Sequence, residues 1–179
     1  NIRGNTLTAA SKSGATGYIG GTMNMYGGKI YGGTATANGG NLGIVDSGVM
    51  NMYAGLITGG KAGVNGGNIS LGSNTTNGVW GTLNVCGGKI TDGEAGEIGG
   101  NVYAAAGTTF TVTDAEIRDG VAGTDGGNIR VGNVDHQHDD QQRQCKTDNM
   151  TGNITFCHIH IAPRSNQIFD GCHENPFPW

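Results

Sequence analysis

Gly39-Gly40-Asn41-Leu42 recurs as Gly66-Gly67-Asn68-Ile69, Gly99-Gly100-Asn101-Val102 and Gly126-Gly127-Asn128-Ile129. The asparagines stand 27, 33 and 27 residues apart, and 18 residues before each lies an apolar residue: Met23, Met50, Leu83 and Phe110. A constant distance within the unit and a variable return distance mark a structural repeat with one tolerant loop. Periods of about 20 to 50 residues belong to solenoids, propellers and arrays. No helical stripe follows the glycines, so the recurrence is not a phosphate-binding loop.

Outward from this corner, each unit has the same texture. Its first segment alternates apolar and polar residues, as in Met23-Asn24-Met25-Tyr26, Met50-Asn51-Met52-Tyr53, Leu83-Asn84-Val85-Cys86 and Phe110-Thr111-Val112-Thr113. That is the period-2 pattern of a half-buried strand. An isoleucine returns at Ile30, Ile57, Ile90 and Ile117, an alanine at Ala35, Ala62, Ala95 and Ala122. The Gly-Gly-Asn then brings its own alternating pair, such as Leu42 and Ile44. Three short strands and three glycine corners in about 27 residues make one rung of a parallel β-helix. Rungs stack at about 4.8 Å, placing like residues above one another. The expected fold is therefore an all-β, right-handed parallel β-helix (β-solenoid), the hand following from the preference of parallel crossovers.

Composition agrees. The 179 residues include 36 glycines but only three prolines and no Gly-X-Y period, which excludes collagen. Tight turns between short strands are the remaining use for that glycine. A net charge of −4 without a basic run excludes nucleic acid as an expected partner, and no apolar run reaches the roughly 18 residues of a membrane span. The chain begins at Asn1, with neither an initiator Met nor a signal peptide, and reads as a processed product or a piece of something longer.

Two regions are expected. Residues 1–134 form the rungs, with clear repeats over 22–132; residues 135–179 form a divergent, cysteine-containing C-terminal rung or cap with a tail. Asn1-Ile2-Arg3 duplicates Asn128-Ile129-Arg130, so the chain reads as starting in mid-rung. Asn153-Ile154-Thr155-Phe156 echoes Asn68-Ile69-Ser70-Leu71, which suggests that a last rung resumes there. The six additional residues of the 33-residue unit fall in an outward loop around Ser73–Trp80.

Several residue sets are candidates for function. Asn41, Asn68, Asn101 and Asn128, stacked at one corner, are read as a structural amide ladder. Cys145, Cys157 and Cys172, with Cys86 in the repeats, suggest disulfides and an oxidising compartment, free or metal-binding thiols being the alternative. His136 and His138, and His158 and His160, are i, i+2 pairs that face one side of a strand and could chelate Zn²⁺ or Cu²⁺, with His173 as a further ligand. A pH-sensitive contact between subunits is the other reading of the histidines. Asp92 and Asp119 share a column on adjacent rungs, with Glu94 and Arg118 nearby, and their expected spacing of about 5 Å is one a retaining glycosidase uses. Solvated corner charges are the plainer account of that pair. Tyr26 and Tyr53 beside Asn24 and Asn51 form an outward polar-aromatic face suited to a protein partner or a sugar ring. Asn74 and Asn149 lie in Asn-x-Ser/Thr sequons and are candidate glycan acceptors.

The run Thr82-Leu83-Asn84-Val85-Cys86-Gly87-Gly88-Lys89-Ile90, followed by Gly99-Gly100-Asn101-Val102, resembles the repeats of pectate-lyase-like right-handed parallel β-helix proteins. Surface adhesins of Gram-positive bacteria and autotransporter passengers look similar. The resemblance covers about residues 20–132 and implies the fold, with no catalytic motif or cofactor carried over. The resulting expectation is a secreted or cell-surface structural protein that self-associates, head to tail or into a filament. The alternative is a β-helix that binds or cleaves glycans. The expected partners are further copies of the chain, a glycan, or a cell surface.

Overall fold

The computed structural model describes residues 14–74 and 79–132, together with the backbone of the short strands Ile2–Arg3, Thr6–Leu7, Ile154–Thr155 and Ile159–Ile161. The architecture is all-β, a parallel β-solenoid of about four turns with a repeat near 27 residues. The described residues contain no helix.

Each turn contributes one strand to each of four sheets. The first sheet stacks Thr22–Met25, Val49–Met52, Thr82–Val85 and Thr109–Val112. The second stacks Lys29–Tyr31, Leu56–Thr58, Gly88–Thr91 and Ala115–Arg118. The third consists of the two-residue strands Thr6–Leu7, Thr34–Ala35, Lys61–Ala62, Glu94–Ala95 and Val121–Ala122. The fourth stacks Gly17–Ile19, Leu42–Ile44, Ile69–Leu71, Val102–Ala104 and Ile129–Val131. Sequence reading expected three sides per rung. The additional pairing is at the alanine column, too short to register as an alternating segment.

Register follows the repeat residue for residue. Met23 pairs with Met50, Met50 with Leu83, and Leu83 with Phe110; Ile30, Ile57, Ile90 and Ile117 form a second column. These inward columns, with Leu42, Ile69 and Val102 from the fourth sheet, make one continuous core. Met50, Leu83 and Phe110 are completely buried, whereas Met23 at the end of their column is only partly covered. A rung on its own has no way to bury both faces of its apolar column, so the core exists only through stacking.

The glycine pair at each Gly-Gly-Asn corner meets two separate demands. Gly39, Gly66, Gly99 and Gly126 have φ between +63° and +67°, a region unfavourable to side chains. Gly40, Gly67 and Gly100, which follow three of them, lie against the next rung. A Cβ on Gly67 would stand 2.2 Å from both the Glu94 nitrogen and the Gly100 carbonyl oxygen.

Two expectations about the ends are corrected. Ile2 pairs with Ile30 and Arg3 with Tyr31, so this strand belongs to the second sheet, not to the fourth-sheet column of Ile129. A three-residue match carries the alternation of a strand but not its register. The first Gly-Gly-Asn-like corner is instead Gly14-Ala15-Thr16: Gly14 has φ +76° and donates to the Gly39 carbonyl, and Thr16 N–H donates to the Asn41 carbonyl. Likewise Ile154 does not resume a parallel rung. Ile154–Thr155 runs antiparallel against Ala115–Arg118, and Ile159–Ile161 antiparallel against Thr109–Val112. Within the 33-residue unit, Ser73–Asn74 and Val79–Trp80 pair antiparallel, outside the four stacked sheets.

Candidate functional site

The buried corner is an amide ladder. Asn41 Nδ2 donates to Asn68 Oδ1 at 2.7 Å, Asn68 Nδ2 to Asn101 Oδ1 at 2.7 Å, and Asn101 Nδ2 to Asn128 Oδ1 at 2.8 Å. The backbone fixes each amide's orientation. Asn68 Oδ1 also accepts from the Gly60 N–H of its own rung, while its Nδ2 donates to the Thr91 carbonyl of the next. Asn41, Asn68 and Asn101 have no exposed surface, so they hold rungs together and offer nothing to a ligand. At the first corner Thr16 takes the asparagine's place, and its buried hydroxyl has no hydrogen-bond partner among the described residues.

A second ladder faces outward on the first sheet. Asn51 Nδ2 donates to Asn24 Oδ1 at 2.9 Å, Asn84 Nδ2 to Asn51 Oδ1 at 2.8 Å, and the Thr111 hydroxyl to Asn84 Oδ1 at 2.7 Å. Here each donor points to the preceding rung, opposite to the buried ladder. Beside it the Tyr26 and Tyr53 rings stack with centroids 5.0 Å apart and planes 5° from parallel. Tyr26 is 49% exposed.

Asp92 and Asp119 do occupy one corner of adjacent rungs, following the paired residues Thr91 and Arg118. They sit at φ +54° and +55°, where the other rungs have Gly32 and Gly59. Each carboxylate has its own partner. Asp92 accepts from the Thr91 hydroxyl at 2.6 Å and the Thr58 hydroxyl at 2.9 Å, and the Thr91 bond leads in holding its pKa below the usual carboxylate value. Asp119 is ion-paired with Arg118. A retaining glycosidase needs one carboxyl that keeps its proton near neutrality; Asp92 is shifted the opposite way. Glu94 is turned to Lys61 of the preceding rung. Glu116, held below its ordinary pKa chiefly by its bond to Lys89, also pairs with Arg118 at 2.5 Å.

Sequence reading missed some features that depend on three dimensions. The Thr58–Thr91 hydroxyl pair, 3.0 Å apart, clamps Asp92 from two rungs. Trp80, on the hairpin of the long unit, lies with its ring against Gly107 of the next rung, 3.1 to 3.2 Å from where a Cβ would be. Asp46 takes φ +52° in a turn closed by the Gly48 N–H to Val45 carbonyl bond. Cross-rung spacing was the available signal for the clamp; for Trp80 the sequence held none.

The proposed metal ligands His136, His138, His158 and His173, and the side chain of His160, lie outside the described residues, as do Cys145, Cys157, Cys172, Asn149 and the side chain of Asn74. Among the described residues no cysteine is a free thiol, no group of three or more His, Cys, Asp or Glu could hold a metal, and no helix is long and apolar enough to cross a membrane. No protein family, curated protein or solved structure matches the chain.

Proposed function

We propose that this is a secreted, cell-surface β-solenoid with a structural or adhesive role, acting through contact and self-association. The observation that carries the reading is the edge strand Thr22–Met25. Among the described strands it pairs on one side only, with Val49–Met52, and its Met23 is less covered than the rest of its column. An edge strand of this kind is a template for a further strand. A second copy is the partner the geometry favours: Ile159–Ile161 already adds antiparallel to Thr109–Val112, and the same mode joins that end of one copy to Thr22–Met25 of the next. Such a head-to-tail contact continues into a filament unless it closes. Light scattering across a concentration series, with electron microscopy of the same samples, is expected to show growth that Met23→Lys suppresses. A strict monomer at all concentrations rejects the reading.

The extracellular assignment rests on pairing of Cys86 with one of Cys145, Cys157 and Cys172 in an oxidising compartment. Intact mass with alkylation, before and after reduction, counts the bonds. The second reading, a glycan-binding or glycan-cleaving β-helix, draws on Tyr26, Asn24 and Trp80 at the surface. Sugar release or retention that is lost in Asp92→Ala or Asp119→Ala would favour cleavage over adhesion.

A further inference from the structure

The chain has five tyrosines, and rung register decides which of them can meet. Tyr18 is paired with Gly43, Tyr31 stands between Arg3 and Thr58, and Tyr103 stands between Ser70 and Arg130. Tyr26 and Tyr53 alone have a tyrosine ring as cross-rung neighbour, at 5.0 Å between centroids and 5° between planes. The two rings are stacked in parallel planes, an arrangement imposed by in-register parallel stacking of the rungs, whose spacing is about 4.8 Å. The pair lies on the outer surface, with Tyr26 half exposed and Tyr53 partly so.

From this geometry we infer that Tyr26 and Tyr53 form a site of oxidative modification, a dityrosine that covalently staples two adjacent rungs. The oxidant class is a peroxide delivered through a haem peroxidase. Each phenol loses one electron and its hydroxyl proton, giving two phenoxyl radicals with unpaired density on the ring carbons ortho to oxygen. That density lies above and below the ring plane, so facing rings present the reacting orbitals to each other. The two unpaired electrons become a carbon–carbon bond between ortho carbons. Each coupled carbon then gives up its hydrogen as a proton, while the oxygen of the same ring gains one and the rings regain aromaticity. Two electrons and two protons leave the pair in all, and hydrogen peroxide takes them to become two waters. Because both rings are held in place, coupling within a molecule outruns encounters between molecules in dilute solution. The inference needs no self-association and stands apart from it.

The test uses the full chain at micromolar concentration with a haem peroxidase and hydrogen peroxide, read by dityrosine fluorescence and peptide mapping of the monomer band. The expected result is a crosslinked peptide joining Tyr26 to Tyr53, formed at a rate independent of protein dilution. It should be lost in Tyr26→Phe and in Tyr53→Phe, which keep the ring packing, and retained when Tyr18, Tyr31 and Tyr103 are all changed to Phe. Circular dichroism checks that each variant keeps its β content. Monomer dityrosine that persists in Tyr26→Phe, coupling confined to covalent dimers, or no monomer crosslink in the folded protein would each overturn the assignment.

Discussion

Asn68 shows how much one side chain can hold in this fold. It has no exposed surface, and its amide bonds Asn41, Gly60, Thr91 and Asn101, drawn from three rungs. Asn68→Ala leaves the Gly60 N–H and one Asn41 amide hydrogen without an acceptor, while the Thr91 carbonyl keeps Gly59 and Asn101 Oδ1 keeps Gly93. At about 1–3 kcal/mol per orphaned group, a loss of about 2–6 kcal/mol is expected in urea unfolding. Asn24 makes the same type of bond on the exposed face, and Asn24→Ala should cost less than about 1 kcal/mol. The glycines divide in a similar way. Gly67→Ala drives a methyl group into the backbone of the neighbouring rung and is expected to cost about 3 kcal/mol or more. Gly59 has φ +62° but open space around its Cβ, and its corner holds aspartates in two later rungs. Gly59→Asp should therefore stay within about 1 kcal/mol of the parent. Asp92 makes its corner sensitive to pH. Its folded pKa lies below the unfolded value, so its contribution is present above about pH 4 and disappears as pH falls through the folded value. The gap in unfolding midpoint between the parent and Asp92→Asn is expected at neutral pH and should close in acid.

For a strand, position in its column matters more than residue type. Phe110 and Met23 occupy the same column, but Phe110 is fully enclosed while Met23 lies beside the edge. Phe110→Ala is expected to lose about 3–5 kcal/mol and Met23→Ala less than about 2 kcal/mol, both read from denaturant midpoints. The columns themselves were legible in the sequence, because strand periodicity and an integer repeat place Met23, Met50, Leu83 and Phe110 without further information. The two-residue third sheet was not, since a pair of residues carries no alternation. Nor was the direction of Ile159–Ile161, because an alternating segment reads the same whether it pairs parallel or antiparallel. Asp92 and Asp119 mark the same boundary for the candidate site. Their shared corner could be read from spacing, while the threonine clamp on one and the Arg118 pair on the other depend on side-chain direction.

Over the whole molecule, stability should grade along the stack. Rungs contact only their neighbours, so opening free energy is lowest where one neighbour is missing. Amide exchange is expected to be slowest in Val49–Met52 and Thr82–Val85, and measurably faster in the edge strand Thr22–Met25. Uniform protection across these strands would contradict a stack that opens from its edge. The sequence by itself determined that the chain is a β-solenoid, how long its rung is, which residues form its core columns, and that the Gly-Gly-Asn is a corner with an amide ladder. All of that follows from periodicity, since like residues must stack once the repeat closes. The tertiary structure alone decided that Thr16 stands next to the ladder's Asn41 without joining it among the described residues, that the last described strands run backward, that Trp80 lies on Gly107, and that the Tyr26 and Tyr53 rings stack at 5.0 Å. Each depends on strand direction, rotamer or local register, and a repeat length constrains none of them.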